Sequence, residues 1–181
     1  DNEGVTVLGS TIVIKKFHSM PIQGAGISNH YLMDKWLCGG ASNAGGAVLK
    51  KFFTDREISE LSKQINPYKN TGLNFRPLIK KGERFPIDDP TIEPILTPRP
   101  ISDALFLHAL LEGLTKIEQQ GWERLYELGM PFPEKIISIG GGAKNQQWNK
   151  IRKKIIGIPT RNCKNPPSIG AARIALEAIQ N

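Results

Sequence analysis

The stretch SIGGGAKN, residues 138–145, decides the fold because it joins an apolar run to a helical one. The run before it, KIIS at 135–138, has the composition of a buried strand, and QQWNKIRKKII at 146–156 has the pattern of a helix. Glycines at such a junction permit either a tight turn or the close approach of a ligand to the backbone. On this stretch alone both interpretations stay open.

The bulk composition predicts one globular domain. The chain has 181 residues, of which 39% are hydrophobic and 23% charged, enough for a single domain with a real core. Two cysteines, Cys38 and Cys163, are too few for a disulfide framework and favour a reduced, intracellular protein. The apolar runs are too short to span a membrane, so we expect no membrane partner.

The charge is strongly positive, because 24 basic against 17 acidic residues give +7. Much of it is concentrated late in the chain, where no acidic residue interrupts seven basic ones: Lys144, Lys150, Arg152, Lys153, Lys154, Arg161 and Lys164. We interpret this basic block as a solvated face in preference to a binding surface for a small anionic molecule. Nucleic acid is the least favoured partner, because only Trp148 interleaves with the block and no nucleic-acid motif surrounds it.

Local signals predict the elements of the first half. Residues 4–17 are two β-rich runs joined at Gly9-Ser10-Thr11, the pattern of a hairpin. A glycine-rich segment follows and becomes helical after Gly46. Thr54 and Glu57 have capping-box spacing, which predicts a short helix. Residues 66–100 are rich in Pro, Gly and charge, with NFRPLI at 74–79 as a candidate strand.

The second half predicts alternating helices and strands. Ser102 or Asp103 caps a helix over about 103–127, whose leucines form one apolar stripe. KIISI at 135–139, PTRNC at 159–163 and a last helix opened by Pro167 complete the pattern. Strands and helices in this order predict an α/β layered domain.

Two well-known phosphate motifs fail on this sequence. The segment GASNAGGA has P-loop glycine spacing, but Gly46 and Ala47 stand where Lys and Ser/Thr are required. A dinucleotide fingerprint requires a third glycine at position 145, which is Asn, and an acidic residue about 20 positions later, and none follows before Glu177. GAGISN at 24–29 fails in the same way. With these two motifs excluded, the remaining arrangement for binding phosphate is a set of short turns that together surround one nucleotide.

Six segments occur in a family-specific order: GVTVLGST (4–11), GGASNAGGAVLKKF (39–52), GERFP (82–86), HALLEGL (108–114), IISIGGGAKNQQW (136–148) and IGAARIAL (169–176). Together they resemble the C-terminal domain of the FGGY carbohydrate kinases, which include glycerol kinase, xylulokinase and ribulokinase. The resemblance covers essentially the whole chain and is nearer the pentulose kinases. It implies an actin-like ATPase fold of the ribonuclease H-like class, an α/β domain with a mixed sheet flanked by helices.

The resemblance also implies three nucleotide-binding turns. The turn of Gly9, Ser10 and Thr11 would face the phosphates with backbone N–H groups and hydroxyls. Gly45 and Gly46 match a helix start beside the nucleotide, where free N–H groups and the helix dipole would favour an anion. Close packing of that helix against the sheet is the alternative for these two glycines.

The third turn is the opening stretch, which matches the family's adenosine motif. Its predicted contacts are Gly140, Gly141, Gly142, Ala143 and Asn145. Gly141 and Gly142 would lie flat against the base or ribose, and Asn145 would hydrogen-bond to the purine or ribose side.

Other conspicuous residues are expected to be structural. His18, His30 and His108 are predicted to be packing or surface residues. Glu83 and Arg84 are predicted to form an internal ion pair that orders the long loop, and Glu112 to brace backbone groups.

The function implied by the resemblance is ATP-dependent phosphorylation of a hydroxyl of a small sugar, a pentulose such as D-ribulose or D-xylulose, in the cytoplasm. ATP and Mg²⁺ are the implied cofactors. Neither a catalytic nor a metal-binding residue is expected within residues 1–181, because the family's catalytic aspartate precedes the first hairpin and Asp1 is not in a matching context.

The chain is therefore expected to be the C-terminal nucleotide-binding lobe of a longer protein, inactive alone. Its expected partners are ATP or ADP and its own N-terminal domain with the sugar, with a homodimer as a possible assembly. The alternative is a non-catalytic actin-like nucleotide-binding module, which GERFP and HALLEGL disfavour.

Overall fold

A computed structural model describes residues 2–163, 165 and 167–180, which form one mixed sheet with helices. The strands are β1 (Glu3–Leu8), β2 (Ile12–His18), β3 (Ile27–Leu32), β4 (Lys35–Ala41), β5 (Lys135–Ile139) and β6 (Thr160–Asn162). The helices are α1 (Gly46–Lys50), α2 (Asp55–Ser62), α3 (Asp103–Glu127), α4 (Gln146–Ile156) and α5 (Pro167–Gln180), with a 3-10 helix at Gly141–Lys144.

The sheet has the strand order β3-β4-β2-β1-β5-β6. Strands β1 to β4 pair antiparallel, whereas β5 and β6 pair parallel to β1 and to each other. Parallel neighbours require crossover connections, and α3 and α4 supply them. The predicted α/β class with a mixed sheet is confirmed.

The first hairpin folds as its alternation predicts. The register runs from Gly4 opposite Lys16 to Leu8 opposite Ile12, which leaves residues 9–11 as the turn. Ile12 and Ile14 are buried, whereas Val13 and Lys15, which follow them in turn, are half-buried, so one face of β2 packs on the core.

Two strands were not predicted. The sequence indicated a glycine-rich segment where β4 runs, and β3 lies where GAGISN was tested as a phosphate motif. Gly39 and Gly40 belong to β4, where a Cβ on Gly39 would lie 1.9 Å from the carbonyl oxygen of Ile14, and one on Gly40 would lie 2.3 Å from the Phe85 ring. These glycines permit close packing of a strand rather than a loop.

Helix α3 forms the centre of the core. Ser102 is its N-cap and accepts a hydrogen bond from the Leu105 N–H, so Ser102 rather than Asp103 caps the helix. The buried apolar residues of the helix are Phe106, Leu107, Ala109, Leu110, Leu111, Leu114, Ile117, Trp122 and Leu125. Trp148 of α4 packs in the same core and donates from its indole to the Thr115 hydroxyl at 3.1 Å.

The long segment 66–100 is irregular but anchored. NFRPLI is not a strand, because it contributes only the isolated bridge of Arg76 with Ile95. The segment is held by buried apolar side chains, including Phe75, Leu78 and Phe85.

The predicted ion pair of Glu83 with Arg84 is wrong, although Glu83 does order the loop. The buried Glu83 carboxylate accepts from the Ser42 hydroxyl at 2.6 Å, the Asn43 N–H at 2.7 Å and the Arg84 N–H at 3.0 Å. The Arg84 guanidinium donates instead to the Ala41 carbonyl at 2.7 Å. Glu83 therefore binds the loop to the end of β4 through backbone and hydroxyl donors.

Within the described part of the chain, no helix is both long enough and apolar enough to cross a membrane.

Candidate functional site

Three separate turns line one cavity of about 690 Å³. The first is the β1–β2 turn with Gly9 and Ser10, the second is the start of α1 at Gly46, and the third is the turn between β5 and α4. The other residues that line the cavity are Leu8, Ala47, Leu49, Lys50, Asp55, Ile58, Gly141, Gly142, Lys144, Asn145 and Trp148. The cavity volume lies in the range of about 300–1,000 Å³ that small-molecule sites occupy.

The first two turns are bonded to each other. The Gly46 N–H donates to the Gly9 carbonyl at 2.8 Å, and the Ala47 N–H donates to the Ser10 carbonyl at 3.1 Å. These first N–H groups of α1 are therefore not available to an anion, which corrects the expectation for Gly46. A Cβ on Gly45 would lie 2.5 Å from the Ser10 carbonyl oxygen, so Gly45 serves the close packing that was the alternative.

Only part of the β1–β2 hairpin turn lines the cavity. Ser10 is exposed and lines the cavity, whereas Thr11 lies outside the cavity wall. The Thr11 carbonyl accepts from the Gly9 N–H at 3.2 Å, which closes the turn.

The three consecutive glycines of the third turn have different surroundings. Gly140 has a φ of 93°, and a Cβ on it would lie 2.7 Å from the Leu8 carbonyl oxygen. A Cβ on Gly142 would lie 2.4 Å from the Trp148 ring. A Cβ on Gly141 would meet nothing within 4 Å, although Gly141 lies in the cavity wall. Gly141 is thus the glycine of this turn that leaves space open to a ligand.

Asn145 lines the cavity and also caps α4. Its side-chain oxygen accepts from the N–H groups of Gln147 and Trp148 at 3.1 and 3.0 Å. Its amide donates to the Ser62 hydroxyl at 2.8 Å. With the oxygen occupied, one amide hydrogen is left for a ligand. Ala143 is buried behind the turn and lies outside the cavity wall.

A second cavity of about 470 Å³ adjoins the first, because five residues line both: Asp55, Ile58, Gly141, Lys144 and Asn145. It extends between α2 and the start of α4 and includes Ser59 and Gln147. The side-chain oxygen of Gln147 is buried and accepts no hydrogen bond from the described residues.

Comparison with known proteins identifies the family of this chain. Residues 5–179 match the model of the FGGY family of carbohydrate kinases, C-terminal domain. The chain belongs to the FGGY family.

Relatives of this FGGY domain are sugar kinases. A xylulose kinase of Staphylococcus xylosus is 31% identical over 150 residues, and a xylulose kinase of Bacillus subtilis is 29% identical over 157 residues. These matches cover 78% and 81% of the chain but 31% of each relative. The chain therefore spans about a third of the length of the curated relatives that it matches.

Solved structures share the fold. A xylulose kinase structure from Brucella ovis matches with a TM-score of 0.76 at 18% identity, covering 91% of this chain and 36% of that one. A glycerol kinase of Plasmodium falciparum with ADP matches with a TM-score of 0.72 at 16% identity, covering 90% of this chain and 35% of that one. The actin-like ATPase fold is confirmed.

Helix α2 of the FGGY domain contributes a wall of the cavity, and its capping box holds the helix start. The Thr54 hydroxyl accepts from the Glu57 N–H at 3.3 Å, and the Glu57 carboxylate accepts from the Thr54 N–H at 2.7 Å. The Thr54 backbone bond lowers the pKa of Glu57 below its usual value. Asp55, in the cavity wall, forms an ion pair with Lys50.

Five of the six described residues of the basic block are exposed, as the favoured interpretation of a solvated face expects, and Arg152 is the exception. Arg152 is fully buried and makes a bidentate pair with Glu118, with both N–O distances 2.7 Å. Lys154 donates to the Tyr68 carbonyl at 3.1 Å, and Arg161 pairs with Glu3 at 3.6 Å. Lys144 lines the cavity. Lys164, the last member of the block, lies outside the described residues.

The remaining predicted residues are structural, as expected. The Thr71 N–H and hydroxyl both donate to Glu112, which braces the backbone there. His30 is exposed, and a ring nitrogen of His18 lies 2.9 Å from the Met20 carbonyl oxygen. His108 is buried, 3.5 Å from Glu112.

The described residues do not support a metal site of this chain's own. No group of three or more His, Cys, Asp or Glu side chains among the described residues could hold a metal ion.

Proposed function

We propose that this domain binds an adenine nucleotide in the cavity formed by the three turns, as one lobe of an ATP-dependent kinase for a pentulose. D-xylulose is the first candidate and D-ribulose the second. Xylulose kinases at 29% and 31% identity support the order of these candidates. An L-fuculokinase of Escherichia coli matches at 34% identity but over only 31% of the chain, and so supports the sugar-kinase class rather than one sugar.

The observation that carries the proposal is the convergence of three glycine turns on one cavity with Gly141 facing open space. A flat ligand can approach a glycine backbone more closely than any residue with a Cβ. Gly140, Gly142 and Gly45 lie against other protein atoms, so close packing explains why glycine stands at these three positions. Gly141 is not explained in this way.

The residues of this chain would bind and orient the nucleotide. Gly141 and the apolar Ile58 would lie against the base and ribose, and the ammonium of Lys144 would favour the negative phosphates. The exposed hydroxyl of Ser10 would donate to a phosphate oxygen. Thr11, Gly140 and Ala143 would act behind this surface by shaping the turns. Bound ATP would supply the phosphoryl group that is transferred to the sugar.

The catalytic base is proposed to lie outside this chain. Phosphoryl transfer requires a carboxylate to accept the proton of the attacking hydroxyl and cations to neutralise charge. We assign both to the rest of the protein, and propose that residues 1–181 alone do not phosphorylate sugars. Closure of two lobes would exclude water, so that transfer to the sugar outruns hydrolysis.

The sugar assignment is tested by coupled ADP release from the full-length enzyme with D-xylulose, D-ribulose, ribitol and glycerol, with residues 1–181 alone as a further arm. We expect turnover of D-xylulose above that of the other compounds and no turnover by residues 1–181. If no sugar is used faster than water, the domain fits the alternative of a non-catalytic actin-like nucleotide-binding module.

The nucleotide site is tested by Gly141→Asp in the full-length protein. The substitution places a side chain and a negative charge in the open space of the cavity, so the affinity for ATP is expected to fall by at least about tenfold. Isothermal titration calorimetry measures it. Gly170→Asp is the matched control, because a Cβ on Gly170 also meets nothing within 4 Å but lies on α5, away from the cavity wall. Unchanged ATP affinity in Gly141→Asp would contradict the site.

A further inference from the structure

We propose that Asn149 and Asn162 are positioning residues of the glycine turn, and that their two side-chain amides set the wall of the nucleotide cavity through the carbonyl of Ala143. The inference rests on the proposed function. It concerns residues that lie outside the cavity wall and that the sequence did not single out.

The Ala143 carbonyl receives two side-chain donors from two different elements. The Asn149 amide of α4 donates to it at 2.8 Å, and the Asn162 amide of β6 donates to it at 2.7 Å. A carbonyl oxygen has two lone pairs, so both are used. The turn is thereby tied to the helix that follows it and to the edge of the sheet.

A short helix of this kind requires such support. The 3-10 helix Gly141–Lys144 has four residues, and its last carbonyls lack partners within the helix. Three glycines in succession also make the backbone of this segment unusually free. Without the two amides, little would fix the Ala143 peptide and hence the direction in which Gly141 faces.

The orientation of the Asn149 amide is itself determined by Arg152. The Arg152 guanidinium lies 3.4 Å from the Asn149 side-chain oxygen and donates to the Ser138 hydroxyl at 2.7 Å. Arginine has only donors, so it faces the oxygen of Asn149 and leaves the NH₂ group for Ala143. Arg152 is held in turn by Glu118, whose carboxylate also accepts from the Thr6 hydroxyl at 2.7 Å. A buried ion pair thus supports the nucleotide wall from behind.

The consequence is a specific effect on nucleotide binding. Neither asparagine touches the cavity, so replacing one leaves the lining residues unchanged and alters only how firmly the turn is held. The affinity for the nucleotide should fall, while the sugar site and the phosphoryl-transfer step are unaffected at saturating nucleotide.

The experiment uses Asn149→Asp and Asn162→Asp in the full-length enzyme, with ATP and the preferred sugar. A carboxylate has nearly the shape of the amide but cannot donate to Ala143. Asn162 is exposed, so Asn162→Asp is the variant with the smaller risk to folding. Asn74→Asp is the control, because exposed Asn74 accepts from Lys116 at 2.9 Å and a carboxylate accepts equally well.

We expect the KM for ATP to rise about five- to twentyfold in each variant. The rise corresponds to the loss of one hydrogen bond together with the repulsion between the new carboxylate oxygen and the Ala143 carbonyl oxygen. The kcat, the KM for the sugar and the Tm should stay near those of Asn74→Asp. A KM for ATP equal to that of the control would overturn the inference. So would a fall in kcat and sugar affinity together with Tm, which is the signature of a general structural role.

These measurements distinguish a failure of the proposed function from a failure of this inference. If the wild-type enzyme shows no saturable binding of ATP, the nucleotide site is wrong and the inference falls with it. If the wild type binds ATP and the asparagine variants match the control, only the inference is wrong.

Discussion

Single residues in this domain have roles that depend on their surroundings rather than on their type. Gly140, Gly141 and Gly142 are adjacent and chemically identical, yet one packs against Leu8, one faces open space and one packs against Trp148. Substitutions at neighbouring positions should therefore separate stability from binding.

Gly140→Ala is expected to destabilise the domain by about 1–3 kcal/mol, because the Cβ would lie 2.7 Å from the Leu8 carbonyl oxygen at a φ of 93°. Gly141→Ala is the matched control and should change the free energy of unfolding by less than about 0.5 kcal/mol. Urea unfolding measures both. Equal destabilisation by the two variants would contradict the different environments described for them.

His108 is expected to make stability depend on pH. Burial lowers the pKa of His108 below its ordinary value of 6.5, with Glu112 opposing that shift and Lys154 of α4 adding to it. Below the unfolded pKa the unfolded chain binds more protons than the folded one, so the stabilising effect is complete above about pH 6.5 and is lost as pH falls through the depressed folded pKa.

The measurement is the free energy of unfolding of wild type and His108→Gln between pH 7.5 and 5.5. The wild type should lose more stability on acidification than the variant, which has no titrating ring at position 108. His30→Gln, at an exposed position, is the control and should follow the wild type. Parallel curves for wild type and His108→Gln would show that burial does not perturb this histidine.

Two buried carboxylates join elements of the fold by accepting hydrogen bonds from backbone N–H groups. Glu83 joins the 66–100 segment to the end of β4, and Glu112 joins the Thr71 region to α3. An irregular segment lacks the backbone hydrogen bonds of a helix or sheet, and each carboxylate accepts hydrogen bonds from backbone N–H groups that would otherwise be unpaired.

Glu83→Gln is expected to loosen the segment around residues 82–91 and to cost about 2–3 kcal/mol, because a buried amide cannot accept from all the donors of the carboxylate. Hydrogen exchange should rise at the amides of Asn43, Arg84 and Asp89. Glu93→Gln, in an exposed pair with Lys81, serves for comparison and should leave exchange unchanged. Protection retained in Glu83→Gln would mean that apolar packing alone orders this segment.

At the scale of the whole molecule, the net charge of +7 does not by itself make a nucleic-acid interface. Arg152 is internal, Lys154 is bonded to a carbonyl, and Arg161 is paired with Glu3. A nucleic-acid interface would require clustered exposed cations, with aromatic groups for stacking where a single strand is bound.

Duplex and single-stranded DNA are therefore expected not to bind measurably at about 0.15 M salt and up to about 100 µM DNA. Fluorescence anisotropy over a range of salt concentrations tests this. Binding that weakens steeply as salt rises would instead restore nucleic acid as a partner.

Much of the fold follows from short-range signals. The capping box of Thr54 with Glu57, the Ser102 cap and the strand-turn-helix at 135–156 depend on residues a few positions apart, and the structure confirms all three. The order of the six glycine and loop motifs predicted the FGGY family, which the family model matches over 5–179.

Strand β4 and the partners of Glu83 and Arg152 could not be predicted from such signals. Gly39 and Gly40 look like loop residues until Ile14 and Phe85 are seen to lie against them. Arg152 looks like one more surface cation, but Glu118 lies 34 positions before it and is brought to it only when α3 packs on α4.

The sequence by itself determined most of the elements, the family and the three turns, because propensity, capping and turn chemistry act between near neighbours. Only the tertiary structure decided that Gly141 alone of the three consecutive glycines faces open space, that the first amides of α1 are occupied, and that two asparagines hold Ala143. Those facts depend on distances between residues far apart in the chain, and a distance is set only when the core has packed.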